Sequence, residues 1–184
     1  MKVKDFLIVK RNVKYPRIEL KGKPTLILPV KGNFNPEEII EKHKNWIEKK
    51  IEFIKKIKEK YRDEKIFKRD DEDLKKIVLK FIKKYSEKLE VEVKKVYFRD
   101  MNSKWASCRK NGNLSFNLKL KYLPEFLIKY VVFHEMVHLK IPNHKSNFWM
   151  YIKKEFKNPE KYEEMLYGYW FLSIDNNCAE KREL

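Results

Sequence analysis

Glutamine is absent from the 184 residues, alanine occurs only at Ala106 and Ala179, and cysteine only at Cys108 and Cys178. The cysteines lack C-x-x-C spacing, which argues against a disulfide framework or a cysteine zinc site and leaves one bridge between them open. No run approaches about eighteen uncharged apolar residues, so no membrane span is expected. The opening MKVKDFLIVKRNVKYP interrupts its short apolar stretch with charge and offers no small-residue cleavage site, unlike a signal peptide; the cytoplasm is the expected compartment. No segment is acidic. Lys and Arg number 44 against 27 Asp and Glu, a net charge of +17, and the excess is densest in residues 1–35, with nine basic and two acidic residues. Such a surface favours polyanions, so weak, non-specific nucleic-acid binding is expected. A compositional origin competes with it, because Lys/Glu/Ile-rich, glutamine-free chains resemble heat-adapted proteins.

What is present supports a folded core: 42% of residues are hydrophobic and 14% aromatic, too many for a disordered chain. Three short β-like runs, DFLIVKRNV, RIELK and TLILPV, are punctuated by Pro16, Gly22-Lys23-Pro24 and Pro29, which predicts a small antiparallel meander. Asn35-Pro36-Glu37-Glu38 opens a helix, and Ile40, His43, Ile47, Ile51, Ile54, Ile57 and Tyr61 form its apolar stripe. On that stripe His43 reads as a packed core histidine. A second helix starts near Asp70–Asp73, with Leu74, Ile77, Val78, Phe81, Ile82, Tyr85 and Leu89 on one face. A strand over 91–99 follows. Asn111-Gly112 then predicts a hairpin joining Trp105–Arg109 to Leu114–Leu118. Pro124 begins a helix that Pro142 ends, two further helices cover about 145–157 and 159–172, and the tail from Asp175 is expected to fray. The expected division is an appendage over 1–66 and a core over 67–184, packed as one compact unit; no internal repeat is visible.

Three of the four histidines fall within eleven residues. His134-Glu135-Met136-Val137-His138 is an H-E-x-x-H motif in a helical context. Histidines four apart stack on one helix face and can reach one ion, and Glu135 is placed to take a proton from a metal-bound water. A turn at Ile141-Pro142-Asn143 would return His144 to the same ion. Three protein ligands and an open position describe a catalytic Zn²⁺ site. The expected metal set is therefore His134, His138 and His144, with Glu135 as general base. Cys108 is a weaker candidate ligand.

The run FRDMNSKWASCRKNGNLSFNLKLKYLPEFLIKYVVFHEMVHLKIPNHKSNFW resembles the YgjP-like metallopeptidase family. The match rests on Arg99, Ser103, Lys104, Trp105, Ser107, Cys108, Asn117, Pro124, the H-E-x-x-H residues, His144, Phe148 and Trp149. Ala106 stands where that pattern has glycine. The resemblance implies an α+β, zincin-like fold: an antiparallel sheet with the H-E-x-x-H helix, preceded here by the small β-meander and long helices. It implies a zinc peptidase acting on a peptide or protein. A metal-dependent nucleotide phosphohydrolase is the alternative, and a nucleic-acid-associated module with a structural metal is a third possibility. Zincins bind substrate as a strand added to a sheet edge, and Leu114–Leu118 is the candidate edge. Asn117, Trp105, Lys104 and Arg99 are the candidate substrate-binding residues. Tyr130, Tyr151 and Tyr169 are the candidate oxyanion donors.

Overall fold

The computed structural model describes residues 2–180, with side chains described through Ile174. The chain divides into two compact units, Met1–Lys60 and Tyr61–Leu184.

The first unit holds β1 (Leu7–Arg11), β2 (Arg17–Glu19), β3 (Thr25–Pro29), α1 (Pro36–Lys42) and α2 (Lys44–Lys60). Its sheet has the order β1-β3-β2, with β1 parallel and β2 antiparallel to β3. The expected antiparallel meander is thus corrected. The run TLILP buries Leu26, Ile27 and Leu28, so β3 takes the centre. The run LIVKR ends in two cations, is largely exposed and stays at an edge. The Asn35 side chain caps α1 by accepting from the N–H of Glu37. The single helix expected through Tyr61 is broken at His43, the C-cap of α1, whose ψ of 8° interrupts the repeat. His43 is consequently exposed, not a core histidine. Ile40, Ile47, Ile54 and Ile57 are buried.

The second unit holds α3 (Asp71–Leu89), β4 (Lys95–Arg99), β5 (Ala106–Cys108), β6 (Asn113–Asn117), α4 (Glu125–Val137), α5 (Ser146–Glu155) and α6 (Pro159–Glu180). Asp70 caps α3 by accepting from the N–H of Asp73. The stripe Leu74, Val78, Phe81, Ile82, Tyr85 and Leu89 is buried and packs in one core with Leu127, Ile128 and Val131 of α4. The sheet order is β4-β6-β5, with β4 parallel and β5 antiparallel to β6, a mixed sheet where an antiparallel one was expected. The hairpin at Asn111-Gly112, where Gly112 takes φ +81°, forces β5 and β6 antiparallel. Because β6 is buried along most of its length, it needs a partner on each side, and β4 joins the free one. This overturns Leu114–Leu118 as a substrate edge: β6 is central, and β5 is the edge beside α4.

Residues 61–66 belong to the second unit. The Tyr61 hydroxyl donates to Glu164 (3.1 Å), and the Tyr169 hydroxyl donates to the Lys65 carbonyl (3.3 Å). A Cβ at residue 168 would lie 2.4 Å from the Tyr61 ring, so glycine there permits that packing. The tail from Asp175 lies outside the described residues except for the α6 backbone to Glu180, as does the side chain of Cys178. Among the described residues no helix is long and apolar enough to cross a membrane.

Candidate metal centre

Helix α4 buries Leu127, Ile128, Val131, Val132, Phe133, Met136 and Val137. A helix apolar nearly all round runs through the interior, and its last turn carries His134 and Glu135. The helix ends at Val137, earlier than Pro142 suggests. His138 caps it with φ −64° and ψ −19°, close enough to helical for both imidazoles to share a face. The chain then turns and brings back His144, whose Nε2 lies 3.0 Å from that of His134 and 3.1 Å from that of His138. Phe148 is fully buried on α5. Its ring sits 4.8, 4.6 and 4.6 Å from the His134, His138 and His144 rings, forming an apolar floor beneath all three.

The tautomers suit a cation. His138 Nδ1 is 3.0 Å from the Ile141 carbonyl, which can only accept, so the proton sits on Nδ1 and the Nε2 lone pair faces its neighbours. Burial pushes the His134 pKa down to about 3, with the nearby His138 and His144 adding to the effect. Burial also lowers that of His138. Imidazole nitrogens that converge this closely repel unless a cation lies among them. Nitrogens held tetrahedrally about 2.0–2.1 Å from one zinc ion would stand roughly 3.3 Å apart, near the spacing observed. These three residues could hold a metal ion, and an all-imidazole set fits zinc. Cys108 is not in the group; it is a free thiol whose pKa burial pushes up to about 11.

Glu163, on α6, is a residue that motif reading misses. Its Oε1 accepts from the Tyr130 hydroxyl (2.7 Å) and lies 3.6 Å from His134 Nδ1. That nitrogen is buried and makes no hydrogen bond. Nothing in the local sequence ties Glu163 to the H-E-x-x-H motif, because only the packing of α6 brings it behind His134.

The Glu135 side chain is buried beside the three histidines. Burial raises its pKa to about 7, against the opposing pull of the Lys104 cation and of a hydrogen bond from the Cys108 N–H. A carboxyl poised there can both hold and release a proton near neutral pH.

The cleft above the histidines has a volume of about 890 Å³. Lys94, Lys104, Arg109 and Lys110 supply its cations, and Glu135 and Glu92 its carboxylates. Of the candidate substrate-binding residues, only Lys104 lines it. Trp105 lies behind, donating its indole N–H to the Leu166 carbonyl (3.1 Å) and meeting Trp170 edge-on at 5.1 Å. Asn117 is fully buried. Its amide donates to the carbonyls of Met101 (2.8 Å) and Lys104 (2.7 Å), and its oxygen accepts from the N–H of Lys119 (3.1 Å). With those bonds made it anchors a loop and has nothing left for substrate. Arg99 ends β4, on the opposite sheet edge from β5, with its guanidinium 5.3 Å from the Tyr97 ring. The oxyanion candidates fare no better. The Tyr130 and Tyr169 hydroxyls are committed to Glu163 and to the Glu64–Lys65 segment, and Tyr151 does not line the cleft.

Residues 59–168 match the YgjP-like metallopeptidase domain. No curated protein matches the chain. Among solved structures, the chain is similar to the metallopeptidase zymogen abylysin of Pyrococcus abyssi, at 23% identity, covering 48% of this chain and 90% of that one, with a TM-score of 0.45. It is also similar to the zymogen jannalysin of Methanocaldococcus jannaschii, at 27% identity, covering 54% and 93%, with a TM-score of 0.42. The matched residues span well over half of the sequence and include the three histidines, Glu135 and the cleft; the chain belongs to the YgjP-like metallopeptidase family.

Proposed function

We propose that this protein is a zinc-dependent peptidase in which His134, His138 and His144 hold the ion and Glu135 is the general base. The observation that carries this is the placement of a buried carboxyl, poised near neutral pH, beside three converging imidazole nitrogens. When bound, zinc supplies Lewis acidity toward a water and toward a scissile carbonyl. Glu135 orients the attacking water, accepts its proton and returns it to the leaving amine. Phe148 and the apolar body of α4 keep bulk water from the underside of the site. An extended substrate adds to β5, the sheet edge whose Cys108 N–H already bonds Glu135.

The cations lining the cleft favour a second reading, a metal-dependent nucleotide phosphohydrolase working in the same site. A purely structural metal has no use for Glu135, which sets the module hypothesis aside. The test is a panel of unfolded proteins, DNA-bound proteins and nucleoside triphosphates incubated with zinc-loaded protein and with Glu135→Gln. Gln preserves the shape and loses only the ability to take a proton. Cleavage of unfolded protein should fall by roughly 10²–10⁴-fold in the variant, with zinc content unchanged. Near-normal turnover in Glu135→Gln would remove Glu135 as the base. Turnover of triphosphates alone would move the assignment to the second reading.

A further inference from the structure

We propose that the cleft selects peptides with acidic side chains flanking the scissile bond, held by Lys104 at one end of β5 and by Arg109 and Lys110 at the other. The proposal rests on the peptidase reading and names its substrate class.

Several lysines of this unit are paired, Lys88 and Lys129 with Glu155, Lys80 with Glu125, Lys121 with Asp71 and Lys153 with Glu160, and others stand singly on the surface. Among the described residues, none of Lys94, Lys104, Arg109 and Lys110 makes an ion pair, although all four line one cleft. Unpaired cations gathered on one concave wall focus their field on whatever enters. Only Glu92 and the base Glu135 oppose them.

Their placement suits an extended chain better than a compact anion. The Trp105 carbonyl accepts from Asn117, and the Arg109 N–H donates to Asn113. The odd residues of this strand therefore pair with β6, and the backbone groups of Ala106 and the Cys108 carbonyl point to the open side, the Cys108 N–H being taken by Glu135. A substrate strand laid there at about 3.3 Å per residue passes Lys104 first, then Glu135 beside Cys108, then Arg109 and Lys110. The laddered stretch from Trp105 to Arg109 is roughly 13 Å at that rise, with Lys104 just before it and Lys110 in the turn after it, so the cations bracket about four substrate residues. A triphosphate is shorter than this span and is usually cradled by backbone N–H groups at a helix start, a feature that no lining segment of the cleft supplies.

Two labelled decapeptides with the same apolar centre test this, one with three Asp or Glu at each end and a twin with Asn or Gln instead. Binding to zinc-loaded Glu135→Gln is read by fluorescence anisotropy, and cleavage is read on the unsubstituted protein. The acidic peptide should bind about 10-fold or more tightly than its twin at low salt, with the advantage shrinking as salt rises. Adding Lys104→Gln and Lys110→Gln should remove most of that advantage. Adding Lys10→Gln and Lys14→Gln, which takes the same charge from the first unit, should leave it intact. Equal binding of the twins overturns the proposal, and so does an advantage lost equally in both double variants. Nucleoside triphosphate hydrolysis without preference between the twins also overturns it and gives the cleft to phosphates. Selective binding through Lys104 and Lys110 with no cleavage upholds acid recognition and overturns the peptidase reading alone.

Discussion

The two nitrogens of His134 have different tasks. Nε2 faces His144 at 3.0 Å, and Nδ1 faces Glu163 at 3.6 Å. A ligand imidazole is held in one tautomer by whatever its second nitrogen meets. The backbone does this for His138 through Ile141; for His134 the available group is Glu163, itself fixed by Tyr130. Glu163→Gln keeps an acceptor for Tyr130 and removes the negative charge behind the ring. Zinc affinity, measured by competition with a chromophoric chelator, should drop roughly 10–100-fold. Thermal stability of the metal-free protein should change little, because the Glu163 side chain is 45% exposed. Unaltered zinc affinity would show that Glu163 has no hold on His134.

At the scale of elements, loop 100–105 is the least regular part of the cleft wall, and it hangs on one side chain. Asn117, at the end of β6, ties Met101 and Lys104 to the sheet. Asn117→Ala should lower stability by about 1–3 kcal/mol, the usual cost of stranding partly buried polar groups. It should also raise KM, since Lys104 sits on the released loop. An unchanged urea midpoint would contradict the anchoring role. Helices were legible in the sequence because caps and period are local: Asp70 and the stripe from Leu74 to Leu89 needed nothing else. The convergence of His134, His138 and His144 was legible for the same reason, since one helix face and one short turn produce it. Strand order was not. Whether β6 lies at an edge or in the centre depends on how much of it is buried, and alternation alone made Asn117 look open when it is sealed. Arg99 and Lys104 looked equivalent along the chain, yet opposite sheet edges separate them. Lys94, Arg109 and Lys110 drew no attention as surface cations until the hairpin folded them over the histidines.

At the scale of the whole molecule the charge demands an account. The unit Met1–Lys60 carries 17 basic against 8 acidic residues, and Tyr61–Leu184 carries 27 against 19. The first unit is thus the more densely basic, and it shows exposed aromatics, with Tyr15 64% and Trp46 51% accessible. Trp46 also lines a pocket of about 330 Å³ with Pro16, Ile18, Ile39 and His43. Cations beside accessible rings are what a single strand of nucleic acid uses, the phosphates meeting charge and the bases meeting ring faces. A purely compositional excess would give binding that depends on charge alone. Titration with labelled single-stranded DNA of mixed sequence should therefore show weak affinity that declines log-linearly with salt, because each phosphate neutralised releases counterions. Trp46→Ala should weaken it further at constant charge, by about 1–3 kcal/mol if one base stacks on the indole. Binding that falls with salt but ignores Trp46→Ala would assign the charge to composition, and no binding at low salt would remove nucleic acid as a partner altogether.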